Sequence, residues 1–203
     1  MSEPWVPLDI VDTDSNPFVQ FRRWFDEAND VMTDREAVAL ATATTEGVPS
    51  VRMVLLRHHD DTSFGWYTNY DSRKGRELGS NPKASLLWYC EPLGRQIRIE
   101  GDVEKMTPSE SNEYFASRPR GSQIGARASK QSDLLDSRAT LEERVREYGL
   151  LYHDQDVPRP PNWGGYRLLP NRFEFWQHRE DRLHDRIVYR EFDDAWRRSR
   201  ISP

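Results

Sequence analysis

Apolar and polar positions alternate along much of this chain, and the period changes several times. From Asn16-Pro17 the residues Phe18, Phe21, Phe25 and Ala28 recur at helical spacing, with proline placed at a first helical position. From Ala37 the texture turns to strands: "AVALATAT", the turn "TEGVPS", "VRMVLLR", the polar turn "HHDDTS" and "FGWYTNY". Connections this short suit an antiparallel meander and not parallel crossovers. "DSRKGRELGSNP" predicts a short helix entered at Ser72 and stopped by Gly79 and Pro82, and two strands follow in "KASLLWYCE" and "RQIRIEGDVEKM". "TPSE" at Thr107–Glu110 is a capping-box pattern that opens a helix ending near "SRPRG". A longer helix is expected over 138–152, with Leu141, Val145, Tyr148 and Tyr152 on one face. After the proline-rich connector "DVPRPPNWGG", three strands are expected at 166–169, 172–177 and 183–189. The first sixteen residues read as an irregular arm rich in Pro, Asp and Ser. Residues 17–203 then form a single α+β domain, mainly β, around a small antiparallel barrel.

Composition narrows the function classes. The net charge of -5 argues against nucleic acid or an anionic membrane as the main partner, although clustered arginines leave room for a local anion pocket. The single cysteine, Cys90, lies in a strand-like run; it can form neither an internal disulfide nor a thiolate metal cage, and a buried structural thiol is expected. No apolar run approaches the ~18–20 residues of a membrane span. The acidic start "MSEPWVPLDIVDTDSNP" lacks the basic and apolar segments of a signal peptide, so a soluble cytoplasmic protein is expected.

The candidate chemistry lies in polar residues planted among the strands. Ser72-Arg73-Lys74 begins a helix, where free backbone N–H groups and the positive dipole end make a phosphate seat. Taken alone, such cations are more often surface residues beside a turn. Ser117–Ser132, "SRPRGSQIGARASKQS", mixes Arg, Ser, Gln and Lys with small residues, and by composition alone it reads as a mobile polar loop. "WQHREDRLHDR", Trp176–Arg186, packs three arginines, two histidines and three acids behind an aromatic residue, which suits a solvated turn, a metal site or an anion pocket. A metal centre of His178, His184, Asp181 and Asp185 has no recognisable ligand spacing, and neither has His58-His59.

The order "RMVLLR…YTN…SRKG…NPKASLLWY…RQIRIEG…YFASRPRGSQIGA…KQS…WGGYR…EFWQ…RLHDRIVY" resembles the pyridoxine/pyridoxamine 5'-phosphate oxidases over nearly the whole chain. The resemblance implies an FMN-binding split barrel. It also implies oxidation of pyridoxamine or pyridoxine 5'-phosphate to pyridoxal 5'-phosphate, with hydride transfer to the flavin and reoxidation by O2 to give H2O2. For FMN it points to Arg52 and the following Met53, Val54, Leu55, Leu56 and Arg57, to Tyr67, Thr68, Arg73 and Lys74, and to Gln96, Gln131, Ser132, Trp176 and Arg186. For the substrate it points to Arg57, Tyr114, Arg118 and Ser122 on the phosphate, and to Arg182, Leu183 and His184 at the reacting end, where Arg182 and His184 are the catalytic candidates. Asp34, just before the first strand, is a further residue it brings near the site. It implies a homodimer with FMN at the subunit interface and no metal.

This chain departs from the family pattern in three places. Arg57 stands where lysine is usual, His178 where glycine follows "FWQ", and "EPWVPLDIVDTD" lacks an Arg-x-x-Tyr motif. Two alternatives remain open at this stage. One is a related split-barrel flavin oxidase acting on another substrate, as in phenazine biosynthesis; the other is a non-catalytic FMN- or pyridoxal-phosphate-binding protein.

Overall fold

The computed structural model describes residues 6–193 and 195–203. The first helix, α1 (Pro17–Glu27), starts where Asn16 accepts a hydrogen bond from the Phe18 N–H at 2.9 Å. Its aromatic stripe is buried against the sheet: Phe21 meets Phe64 edge-on at 4.7 Å between ring centroids, and Trp24 meets Phe175 at 5.3 Å. The strands that follow are β1 (Ala37–Ala43), β2 (Pro49–Leu55), the short β3 (His58–His59) and β4 (Phe64–Asn69). Helix α2 (Arg73–Ser80), strands β5 (Lys83–Cys90) and β6 (Arg95–Lys105), and helices α3 (Pro108–Ser117), α4 (Arg120–Ala128) and α5 (Arg138–Leu151) come next. The long β7 (Trp163–Gln177), β8 (Asp185–Phe192) and β9 (Ala195–Arg200) complete the chain.

Among the described residues nine antiparallel strands form one sheet in the order β2-β1-β5-β6-β7-β4-β3, with β8 and β9 continuing from β7. The sheet is curled into the split barrel expected from the resemblance, with helices flanking it. β1 alternates half-buried and buried residues, the pattern of a strand with one face on the core. The capping box at Thr107 is formed in full: its side chain accepts from the Glu110 N–H, and the Glu110 carboxylate accepts from the Thr107 N–H at 2.8 Å. Among the described residues no helix is long and apolar enough to cross a membrane.

Three features differ from the sequence-based expectation. The polar segment after Arg118 is not a loop: α4 forms within it, and Ile124 and Ala128 are buried. Ile124 joins a second small core with Phe115, Val157 and Trp163, so tertiary packing offsets the weak helix propensity of Gly121 and Gly125. The expected strands at 166–169 and 172–177 are one strand, because Pro170 sits at a register shift opposite Gly101 and does not end the pairing. β9 is an additional strand, polar except for Ala195 and Trp196, that pairs with β8. Helix α5, as expected, turns Tyr148 and its C-cap Tyr152 to one side, where they pack partly buried beside the small core next to α4.

Part of the arm is tied down. The Leu8 N–H donates to Asp185 at 3.1 Å, and Arg198 and Arg200 of β9 donate to the Ile10 and Leu8 carbonyls. Residues 1–5, where the arm begins, lie outside the described residues.

Candidate active site

β2 and β4 are not paired, yet both face a cavity of about 640 Å³ that α2, α3 and α4 close. Met53, Val54, Leu55 and Arg57 line it from one side, and Tyr67, Thr68 and Asn69 from the other. Lys74, Tyr114, Arg118, Ser122, Gln131 and Trp163 complete its polar and aromatic walls.

One end is a cationic seat at the start of α2. Ser72 caps this helix by accepting from the Gly75 N–H at 3.3 Å. Gly75 is required here, since a Cβ would lie 2.1 Å from the Tyr70 carbonyl oxygen. The Lys74 ammonium is buried and donates to Thr68 at 3.1 Å and to Gln131 at 3.0 Å. The Arg73 N–H donates to the Ser132 hydroxyl at 3.1 Å, and Ser132 holds the left-handed φ of 74° that this loop requires. Arg52 lies behind the seat, not on the cavity wall, and donates to Thr42 at 2.6 Å and to the Leu40 carbonyl at 3.1 Å.

The other end is aromatic. The Tyr67 and Tyr114 rings stack at 3.8 Å with 12° between their planes, and Trp163 lies nearly parallel beside the pair, 5.6 Å from Tyr67 and 6.3 Å from Tyr114. The Arg118 guanidinium sits 4.6 Å from the Trp163 ring, and its buried Nη1 has no hydrogen-bond partner. Arg118 lines the cavity, so its guanidinium is placed to pair with an anion bound there. Arg57 lines the same cavity and forms an ion pair with Glu36.

A second cluster lies elsewhere on the chain. Trp176 stands between Gln96 and Arg186 in the β6–β7–β8 register. Its ring lies 4.5 Å from His184, which lies 5.1 Å from His178. Arg186 donates to the buried Glu174 through Nε at 2.8 Å, and Arg98 donates to the same carboxylate at 2.6 Å. His184 Nδ1 accepts the Arg179 N–H at 3.1 Å, which leaves Nε2 to carry the proton of the neutral ring. Partial burial, followed by His178 and Arg182, pushes the His184 pKa down from its ordinary value. Asp181 and Arg182 both adopt left-handed φ angles, 54° and 63°, within a tight 3-10 turn.

Comparison with known proteins shows the family of the chain. The family model described as pyridoxamine 5'-phosphate oxidase matches residues 25–152, and that of the pyridoxine 5'-phosphate oxidase C-terminal dimerisation region matches 163–203. The pyridoxine/pyridoxamine 5'-phosphate oxidase of Paraburkholderia phymatum is 54% identical over 97% of this chain and 93% of its own. The chain belongs to the pyridoxamine 5'-phosphate oxidase family.

The protein of the same name from Nostoc punctiforme is 47% identical over 97% of this chain and 92% of its own. Among solved structures, PhzG from Burkholderia lata 383, in complex with tetrahydrophenazine-1-carboxylic acid, superposes with a TM-score of 0.92 at 34% identity over the whole of both chains. A pyridoxamine 5'-phosphate oxidase-related, FMN-binding protein of Nostoc punctiforme shares the fold at a TM-score of 0.72 and 18% identity, over 92% of this chain and 97% of its own.

Of the residues the family resemblance selects, Met53, Val54, Leu55, Arg57, Tyr67, Thr68, Lys74, Tyr114, Arg118, Ser122 and Gln131 line one cavity. Arg52, Arg73 and Ser132 adjoin its cationic end through hydrogen bonds, and Leu56 is buried in the core. Gln96, Trp176, Arg182, Leu183, His184 and Arg186 do not line it. Trp163 and Trp176 mark opposite ends of the fifteen-residue β7, roughly 40 Å apart along the strand at ~3.3 Å per residue. Asp34 is exposed and also lies off the cavity wall. Among the described residues no group of three or more His, Cys, Asp or Glu side chains is placed to hold a metal.

Sequence reasoning missed Trp163, Glu77 and Glu174. "NWGG" carries no chemical signature of a cavity wall, whereas Glu77 was open to detection as a carboxylate one helical turn after Arg73.

Proposed function

We propose that this protein is an FMN-dependent oxidase that converts pyridoxamine 5'-phosphate and pyridoxine 5'-phosphate to pyridoxal 5'-phosphate. We further propose that it works as a homodimer whose sites join the cavity of one subunit to the Trp176–Arg186 cluster of the other. One observation carries the substrate assignment: Arg118 and Ser122 line a cavity walled by the stacked Tyr67 and Tyr114 rings, which suits a phosphorylated aromatic ring. The family membership and the oxidase names of relatives near 50% identity support it. A 34% identical PhzG structure favours a phenazine-type substrate less than the more similar oxidases favour a vitamin B6 phosphate.

The residues present fit FMN. Lys74, Thr68, Gln131 and the α2 N-terminus, with Arg52, Arg73 and Ser132 adjoining, would hold its phosphate. The strand 53–57, Tyr67, Gln96, Trp176 and Arg186 would hold its ring. FMN, when bound, supplies a two-electron acceptor for the substrate C–H, which O2 reoxidises with release of H2O2. For the amine, water is also consumed and ammonia released; for the alcohol, the aldehyde forms directly. The protein holds the substrate phosphate with Tyr114, Arg118, Ser122 and Arg57. Arg182, Leu183 and His184 cover the reacting end, where His184 Nε2–H donates a hydrogen bond and Arg182 orients the ring.

The dimer has its own physical support. Val51, Met53 and Leu55 project from the edge strand β2 and are 69%, 62% and 46% exposed in the single chain. An apolar stripe on an unpaired edge calls for a covering surface. The match of residues 163–203 to a dimerisation region places the second cluster in a segment of that type.

Burial, and behind it the Arg52 charge, push the Lys74 pKa down from 10.5 to about 8. An arriving phosphate stabilises the ammonium, so FMN binding is expected to take up protons near pH 8 and to weaken above it. Calorimetry in buffers of different ionisation heat reads this uptake directly. The stability linkage has the opposite sign: between about 8 and 10.5 the unfolded chain binds the extra proton, so this group's contribution to stability rises with pH.

The assignment is tested by purifying the protein, recording its flavin absorbance and adding pyridoxamine 5'-phosphate under air. Peroxide and pyridoxal 5'-phosphate are expected together. A yellow protein that makes neither would refute the oxidase while leaving the FMN seat standing.

A further inference from the structure

We propose that Glu77 is a positioning residue for the FMN phosphate: a buried carboxylate that holds the Arg52 and Arg73 side chains behind and beside Lys74 and so sets the shape of the seat. This rests on FMN occupying that seat as proposed above. Glu77 lies on α2, one turn after Arg73, and is only 5% exposed. Its Oε1 accepts Arg73 Nε at 2.9 Å. Its Oε2 accepts the Ser50 hydroxyl at 2.6 Å and the Thr42 hydroxyl, and lies 3.4 Å from Arg52 Nη2. One carboxylate therefore ties together β1, β2 and α2, the last two of which carry the arginines.

A negative charge beside a seat for a dianion is electrostatically adverse if charge alone matters. Its presence calls for a second effect, and the contacts supply one. Arg52 and Arg73 repel each other, whereas Glu77 attracts both: burial and, behind it, Arg73 push the Arg52 pKa down, and Glu77 opposes them. The Arg73 side chain is 57% exposed, and without an anchor it would sample many rotamers and lose that freedom on binding phosphate. With Glu77 in place, Arg52, Arg73 and Lys74 retain a formal charge of two positive, matched to a phosphate of charge ≈ −1.5 to −2. Below neutrality Glu77 stays ionised: burial alone would raise its pKa, but hydrogen bonds from Ser50, Thr42 and Arg73 and the Arg52 charge outweigh that and hold it at about 2.

Positioning and charge make opposite predictions for Glu77→Gln, which adds one positive charge to the seat and removes the anchor. Affinities of the flavin-free full-length chain for FMN and for riboflavin, which lacks the phosphate, are measured by flavin fluorescence. The FMN-to-riboflavin affinity ratio is expected to fall about tenfold or more in the variant, the size of a charged hydrogen bond made or lost. An unchanged ratio, including parallel loss of both affinities, would reduce Glu77 to a structural residue and overturn the proposal; a higher ratio would leave only its charge. Should Glu77→Gln fail to fold, Glu77→Asp keeps the charge and shortens the reach. Its ratio is expected to fall at least threefold, and a wild-type ratio would equally overturn the role. A wild-type protein with no preference for FMN over riboflavin would overturn the seat itself, and Glu77's role with it.

Discussion

Replacing His184 or Arg182 by alanine is expected to lower turnover of pyridoxamine 5'-phosphate by about 10²-fold or more, the range of a lost proton-handling group, while FMN stays bound. Neither side chain touches the cationic seat at α2, so flavin absorbance per subunit should stay near that of the wild type. Arg182 and its neighbour Asp181 hold consecutive left-handed φ angles, an arrangement that costs about 1–3 kcal/mol per residue, and His184 follows two residues later. The pH profile separates the two roles. His184 Nδ1 already accepts the Arg179 N–H, so protonation of the ring must break that bond, and burial with nearby positive charge resists it further. The acid limb of kcat/KM should therefore lie below the ordinary histidine value of 6.5, and it should vanish in His184→Ala but persist in Arg182→Ala. Loss of flavin with retained turnover on resupply would reverse the division of labour between the two clusters.

Arg118→Ala is expected to raise KM for pyridoxamine 5'-phosphate about 10²-fold with a smaller change in kcat. Hydrogen bonds to charged groups contribute about 1.5–3 kcal/mol, and a tenfold effect corresponds to 1.36 kcal/mol. The guanidinium lies over the Trp163 ring and away from Arg182 and His184 of its own chain, so its removal acts on uniform binding of the phosphate. Unphosphorylated pyridoxamine provides the control: its slow turnover should be almost unaffected by the substitution. An equal loss for both substrates would place Arg118 in the structure of the cavity and not on the phosphate.

Local chemistry made part of this molecule readable in advance. The Asn16, Ser72 and Thr107 caps, and the short turns between the first strands, encode their elements within a few residues. What was not readable depends on partners distant in the chain. α4 exists because Ile124 finds Phe115, Val157 and Trp163. Pro170 is tolerated because a bulge opposite Gly101 absorbs it, and β9 forms because β8 offers an edge to a segment with almost no apolar pattern. The site followed the same rule. Its residues were selected through the family resemblance, since "SRPRGSQIGA" alone reads as a polar loop. That the selected residues fall into two groups at opposite ends of β7 became visible only in three dimensions.

That division makes the shared site the claim most open to direct test. Arg118→Ala disables the cavity and His184→Ala the distant cluster, so at pyridoxamine 5'-phosphate concentrations below the wild-type KM each homodimer should be nearly inactive. When the two variants are unfolded together and refolded as a mixture, half of the dimers carry one chain of each kind, and each such dimer holds one intact site. Activity should then return to about a quarter of the wild-type value. A mixture no more active than its parents would contradict a site built from two subunits.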